Sequence, residues 1–340
     1  MKKKVTMQDI ADRLNISKNS VSQALTGKPG VSEETRQMVK KAARELGYDY
    51  PKSRQLSTGK KKGSIALIAS DLAFSLKSFF GDIFLSIEKE VSQRGMSLQI
   101  QSINKESTQQ LILPSFIENQ SVDGIIILSH ISNDYINKVI GTGIPTIMID
   151  HHHPTNKSDA ILTNNRFGAY TAVDHLLKLG HKDIAYVGNV DYSPSYQERY
   201  EGYVHALKDH GITPPQAFTF TEAAEEESII HDYIKNLTTK PTAWFCVNDG
   251  LGFLVNSCLQ QQGYKVPQDA SVCSYDNGQL SKLASPKITT MDIDLELYGK
   301  KAVEQLCWRM ENLGEPFQEV LISSVLVERE STSTPSSEEY

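Results

Sequence analysis

The chain has 340 residues, 39% of them hydrophobic and 22% charged, with a formal net charge of −6. This is the composition of a globular protein long enough for two or three domains. No apolar run approaches the roughly 20 residues that span a bilayer, and polar Val5-Thr6-Met7-Gln8-Asp9 follows Met1-Lys2-Lys3-Lys4 where a signal peptide needs an apolar stretch. A cytoplasmic protein without a membrane role is therefore expected.

Charge is unevenly distributed. Residues 1–62 hold 15 Lys and Arg against 6 Asp and Glu, a charge of +9 that leaves −15 on residues 63–340. A basic head on an acidic body points to a polyanionic partner for the head alone.

The head is predicted to form three short helices. Thr6 with Asp9 is a variant capping box ahead of the Ile10, Ala11, Leu14 stripe. Asn15-Ile16 breaks that helix, Ser17 caps the next, and Gly27 ends it. Ser32 opens a third helix, in which Met38, Val39, Ala42, Ala43 and Leu46 are expected to face inward. Pro51 could open a fourth through Leu56, before a polar Ser57–Gly63 linker. Helix, tight turn, helix within residues 6–26 has helix-turn-helix geometry. The second helix then offers Ser17, Lys18, Asn19, Ser20 and Gln23 to base edges, where Lys suits guanine and Asn or Gln suits adenine. An isolated polar helix face is more often merely solvated, but the basic head favours DNA.

From Ser64 onward, short apolar runs alternate with amphipathic segments. Ile65–Ala69, Ser97–Ile100, Gly124–Leu128 and Pro145–Ile149 form one series; Ile184–Val187, Ala243–Val247 and Ser271–Ser274 form a second. Continuous apolar strands separated by helices imply parallel sheets covered on both faces, and two series imply two doubly wound lobes. Polar residues sit just beyond several strands: Asp150, Asn248-Asp249 and Asp276. Ligands bind beyond the carboxyl ends of strands in open α/β sheets. Asp249 has the competing role of capping the helix it opens, and Arg199 that of a structural ion pair. The cysteines Cys246, Cys258, Cys273 and Cys307 have no metal or redox spacing and are expected to be reduced. His151-His152-His153 suggests a metal, but adjacent side chains on a strand point to opposite faces, so no metal site and no cofactor are expected.

Spaced motifs along almost the whole chain carry a family likeness. They include Val5-Thr6-Met7-Gln8-Asp9-Ile10-Ala11, Val31-Ser32-Glu33-Glu34-Thr35-Arg36, Val122-Asp123-Gly124, Leu179-Gly180-His181, Arg199-Tyr200-Glu201-Gly202-Tyr203, Asn248-Asp249 and Tyr275-Asp276-Asn277. In these the sequence resembles the lac repressor family (LacI/GalR) of bacterial regulators, over roughly residues 4–330. The resemblance implies a homodimer on a pseudo-palindromic operator and a body like a periplasmic sugar-binding protein. It implies an all-α DNA-binding domain (1–50), a hinge helix and linker (51–62), and an effector-binding and dimerisation body (63–330). The body's lobes would take 63–160 with 293–320 and 161–292 with 321–330; the Ser/Thr/Pro/Glu-rich 331–340 is expected to be a disordered tail.

Thr6 joins the DNA-contacting set, and Arg54 and Leu56 would act from the hinge, Leu56 as a minor-groove wedge. Asp150, Arg199, Asn248 and Asp276 would line the effector cleft, holding the hydroxyls of a neutral sugar or glycoside. The Glu222–Glu227 stretch is acidic where relatives place a stacking aromatic, so Phe74, Phe79 or Phe220 is the candidate substitute, Phe79 being preferred. Gln23 stands where relatives often carry Arg. The function expected is that of a sequence-specific transcription regulator, a repressor of carbohydrate uptake or catabolism genes under small-molecule control. An uptake protein would need a secretion signal and no capped head. An enzyme lacks support, since G-x-S-x-G, P-loop, H-E-x-x-H and G-x-G-x-x-G motifs are missing.

Overall fold

The computed structural model describes residues 6–26, 30–46, 63–71, 73, 79–128 and 131–336. The chain divides into two compact units, Met1–Lys62 and Gly63–Tyr340.

The first unit contains helices Met7–Leu14, Lys18–Thr26 and Glu33–Glu45. Thr6 N donates to the Asp9 carboxylate at 2.7 Å, and Asp9 N donates to Thr6 Oγ1 at 3.4 Å, closing the capping box. Asn15, at φ 51, ends the first helix in the left-handed region that Asn tolerates. Ile10, Ala11, Val21, Ala24, Val39, Ala42 and Ala43 share one small core. Met38 does not join it: at 48% exposure it lies one position off the Val39, Ala42, Ala43 stripe, which follows the i, i+3, i+4 spacing of a buried helix face. The expected fourth helix, with Arg54 and Leu56, lies outside the described residues.

The body's strands in chain order are β1 (Ser64–Ser70), β2 (Ser97–Ile103), β3 (Gly124–Leu128), β4 (Thr146–Ile149), β5 (Asp159–Thr163), β6 (Ile184–Val187), β7 (Thr219–Phe220), β8 (Ala243–Cys246), β9 (Ser271–Asp276), β10 (Thr289–Asp292), β11 (Glu319–Ile322) and β12 (Val325–Val327). They form two sheets, ordered β11-β5-β4-β3-β1-β2 and β12-β10-β9-β8-β6-β7. Every pairing is parallel except β10 with β12. The all-apolar β3 is buried along its length because helices cover both faces of the sheet. On one face the Phe80–Gln93 and Leu295–Glu311 helices bury Ile83, Ile87 and Val91 with Tyr298, Ala302 and Leu306.

The chain passes from lobe to lobe three times: after Thr163, after Asp292, and between Ile322 and Val325. Two crossings fall later than the expected 160/161 and 320/321 boundaries. The reason is pairing: β5 and β11 run side by side to the Thr163–Ile322 rung before either leaves the first sheet. A buried bidentate ion pair anchors the same region, with Arg309 Nε and Nη2 each 2.8 Å from the Asp159 carboxylate.

The expected disordered tail is corrected for residues 331–336. Ser331 is fully buried; its hydroxyl donates to Val272 O at 2.5 Å and accepts from Thr289 N at 2.8 Å. His181 Nε2 donates to Ser333 O at 2.8 Å. The polar composition that suggests disorder here supplies hydrogen bonds to the second sheet instead. Residues 337–340 lie outside the described residues. No helix among the described residues is long and apolar enough to cross a membrane.

Candidate functional site

In the first unit, the residues singled out divide by role. Thr6 is committed to the capping box. Ser17 Oγ accepts from Ser20 N at 3.0 Å and lies 2.8 Å from Ser20 Oγ, capping the second helix. Lys18 and Asn19 are exposed on its first turn. Gln23, one turn on, is half-buried, and its side chain lies against Gly30, whose φ of +120 and missing Cβ leave room for it. Arg36 clamps the helix from below, donating to the carbonyls of Gln23 and Ala24 at 3.4 Å each.

In the body, a cavity of about 450 Å³ opens at the carboxyl ends of the strands, and Phe79, Asp150, Arg199, Asn248 and Asp276 all line it. The expected site residues come from five separate segments that the two-lobed topology brings together. Asp150 directly follows β4 at φ 54, and Asp276 ends β9 at φ 102. The left-handed region is costly for a residue with a Cβ, on the order of 1–3 kcal/mol, and such strain clusters at ligand sites.

Arg199, on the Pro194–Asp209 helix, is the centre of one wall. Its guanidinium is 3% exposed, donates from Nε to Asn165 Oδ1 at 2.9 Å and from Nη1 to Val247 O at 2.7 Å, and lies 3.8 Å over the Tyr275 ring. Asp276 Oδ1 is 3.0 Å from Arg199 Nη1, within ion-pair reach but out of line for a hydrogen bond. Burial works against charge on Arg199, and Asp276 beside it holds it protonated; burial raises the Asp276 carboxyl, and Arg199 pulls it back down.

Asn248, rather than Asp249, caps the following helix: its Oδ1 accepts from Leu251 N at 2.9 Å, and its Nδ2 donates to Tyr196 Oη at 2.6 Å and Glu225 Oε1 at 2.5 Å. Asp249 instead ties the wall together. It accepts from Ser274 Oγ, Thr290 Oγ1 and Gly278 N at 2.5, 2.8 and 2.5 Å, and burial pushes its carboxyl up to about 6.

Asp150 is different in kind. It is 9% exposed, and among the described residues its carboxylate takes no hydrogen bond and no ion pair. Burial pushes it up to about 7; Arg199 opposes this, while Asp276 and Glu198 add to it.

Sequence reasoning missed the aromatic surface of the cavity. Tyr192 and Tyr196 stack at 5.3 Å and line it, with Phe79 and Phe80 also contributing. Part of the signal was available, because Tyr196 and Arg199 follow the helical spacing of one face, while Tyr192 reaches Tyr196 from ahead of the Ser193 cap. Of the proposed substitutes, Phe220 stacks on Tyr233 at 4.4 Å and belongs to the core, and Phe74 lies outside the described residues. Glu225, from the acidic stretch, also lines the cavity, and Gly250 leaves room for its carboxylate.

The three histidines diverge. His151 Nε2 lies 3.0 Å from Asn133 Oδ1, His152 is held between Glu319 at 2.9 Å and Glu198 at 3.2 Å, and His153 meets Thr155 at 2.7 Å. Its hydrogen bond to Glu198 is the main reason that His152 is raised to about 9. Among the described residues no three His, Cys, Asp or Glu side chains cluster to hold a metal ion.

Comparison with known proteins bears on the family and fold of the two units. Residues 6–50 match the family described as bacterial regulatory proteins, lacI family, and residues 173–332 match the periplasmic binding protein-like domain. The chain is 29% identical over 312 residues to the HTH-type transcriptional repressor PurR of Actinobacillus pleuropneumoniae serotype 3 (strain JL03), covering 90% of this chain and 91% of that protein. It is 28% identical over 335 residues to the HTH-type transcriptional regulator DegA of Bacillus subtilis (strain 168), covering 97% and 98%. Among solved structures, the transcriptional regulator CelR–cellobiose complex superposes with a TM-score of 0.71 at 23% identity, covering 96% of this chain and 100% of that one. The lac repressor dimer bound to operator and the anti-inducer ONPF superposes at 0.70 and 24%, covering 97% and 100%. These two structures establish likeness of fold.

Proposed function

Since the chain belongs to the LacI family of bacterial regulatory proteins, and is therefore a DNA-binding transcription regulator and not an enzyme, we propose how its two units divide the work. The basic head (1–50) reads a pseudo-palindromic operator as one half of a cytoplasmic homodimer. The second helix, Lys18–Thr26, enters the major groove with Lys18, Asn19 and Gln23 at base edges. Thr6, Ser17 and Ser20 position that helix against the backbone. The body takes a small polyhydroxylated effector, a sugar or glycoside, between its lobes, and the gene set is one for carbohydrate uptake or catabolism.

One observation carries the effector reading: Asp150, Arg199, Asn248 and Asp276 converge on one cavity that also presents a stacked tyrosine pair. Carboxylates and a guanidinium fork grip vicinal hydroxyls, and aromatic faces pack on a sugar ring. The family resemblance adds a hinge role for Arg54 and Leu56, with Leu56 wedging at a base step.

Binding to a palindromic duplex, measured by fluorescence anisotropy across a salt series with and without members of a sugar library, tests the whole reading. Affinity should fall steeply with salt, and one library member should change it. Lys18→Ala and Asn19→Ala should each cost about 1–3 kcal/mol of discrimination between cognate and scrambled duplex. Leu56→Ala should weaken cognate binding without changing ligand affinity. Undiminished discrimination in both helix variants would show that another surface reads the bases.

A further inference from the structure

The cavity has an imbalance of charge that a neutral ligand does not resolve. Among the described residues, its lining carries the carboxylates of Asp150, Glu225, Asp249 and Asp276 against one guanidinium, Arg199. Arg199 is already committed to Asp276, Asn165 and the Val247 carbonyl. Asp249 is satisfied by two hydroxyls and a backbone N–H. His152, on the first lobe, is held by Glu198 and Glu319. Two carboxylates are left over. Glu225 stands at the solvent-exposed rim of the cavity, oriented by Asn248 Nδ2 and accommodated by Gly250. Asp150 is nine-tenths buried, lines the cavity and has no hydrogen-bond or ion-pair partner among the described residues.

A buried carboxylate without a partner is costly unless a proton or a cation neutralises it, and a bound cation does so at a pH where the proton is lost. A hydroxyl of a sugar donates one hydrogen bond and no charge. A protonated amine donates up to three and cancels the charge, and charge-assisted bonds are about twice as strong as neutral ones. The stacked rings of Tyr192 and Tyr196 suit the same group, since aromatic faces attract cations as well as packing on a ring.

We infer that the effector is an amine-bearing polyol, an amino sugar or aminated glycoside. Its ammonium lies against Asp150 or Glu225, and its hydroxyls meet Arg199, Asn248 and Asp276. This rests on the reading of the cavity as a sugar-like effector site and names the chemical class within it. It replaces the neutral ligand expected from sequence, and the reason is spatial: the sequence shows four carboxylates and one arginine, but only the fold shows which of them are already satisfied.

Calorimetry with the full-length protein tests it, using a panel of aminated mono- and disaccharides. Each is paired with its neutral parent, carrying hydroxyl in place of amine, and with its N-acetyl derivative. The best amine is expected to bind at least about tenfold tighter than both matched neutral forms. Asp150→Asn or Glu225→Gln should reduce that preference about tenfold, according to which carboxylate faces the ammonium. Both substitutions are isosteric, and the N-acetyl comparison on unaltered protein makes the same test without any substitution. If a neutral parent or N-acetyl form binds as tightly as its amine, the amine assignment is overturned while the sugar-like effector reading stands. If no member of any class binds, the effector reading fails and takes this one with it.

Discussion

The two walls of the cleft are built on opposite plans. The second-lobe wall is wired before any ligand arrives: Arg199 is fixed by Asn165, Val247 and Asp276, Asn248 by Leu251, Tyr196 and Glu225, and Asp249 by Ser274, Thr290 and Gly278. Among the described residues, the first-lobe wall contributes Phe79, Phe80 and Asp150, and Asp150 has no such wiring. Preorganisation on one wall lowers the cost of ordering groups on binding, and an unsatisfied carboxylate on the other makes closure over a donor favourable. The same chemical change should therefore have opposite effects on stability, depending on the wall.

Arg199→Ala offers the largest contrast. It strands Asp276 and the Asn165 amide in a buried site, so denaturant unfolding should show a loss of about 3–5 kcal/mol together with loss of ligand response. Arg199→Lys should recover little of this, because an ammonium cannot reproduce the fork that meets Asn165, Val247 and Asp276 at once. Stability equal to wild type in Arg199→Ala would break the distinction between the walls.

Asp150→Asn should move the other way. The folded-state carboxyl of Asp150 is raised to about 7 from its ordinary 3.8, so the native state binds the proton more tightly than the unfolded chain. Its unfavourable contribution is absent below about pH 4, grows as pH rises between the two values and is complete above about 7. Unfolding measured at pH 5 and pH 8 should show the variant gaining on wild type by about 2–3 kcal/mol across that interval. A gap that does not widen with pH would mean that Asp150 ionises without penalty and that the first wall is satisfied after all.

A smaller effect sharpens the comparison within the wired wall. Asn248→Ala removes the cap of the Asp249–Gln261 helix and should cost about 1 kcal/mol. It also releases Tyr196 Oη and Glu225, so ligand affinity should fall more than stability does. Asn248→Asp keeps the cap acceptor but replaces the Nδ2 donor with a second carboxylate oxygen facing Glu225. Stability close to wild type with impaired ligand binding is expected, measured by unfolding and calorimetry on the same preparation.

Much of this was decided locally. The head's helices follow from Thr6, Asp9 and Ser17 as caps and from the apolar spacing of Ile10, Val21 and Val39, because helix starts and stops depend on near neighbours. The parallel sheets follow from apolar runs such as Gly124–Leu128, which only a doubly covered strand buries, and the cleft residues from their positions just past strand ends. Other features depend on contacts distant in sequence. Ser331 looks like part of a solvated tail until Val272 and Thr289 are found beside it. Asn248 and Asp249 are adjacent and chemically alike, yet one caps a helix while the other ties β9 to β10, because the geometry of the strand exit turns them to different partners. The loneliness of Asp150 is a property of everything around it, since whether a carboxylate is satisfied depends on the donors that the fold brings near, and those come from both lobes.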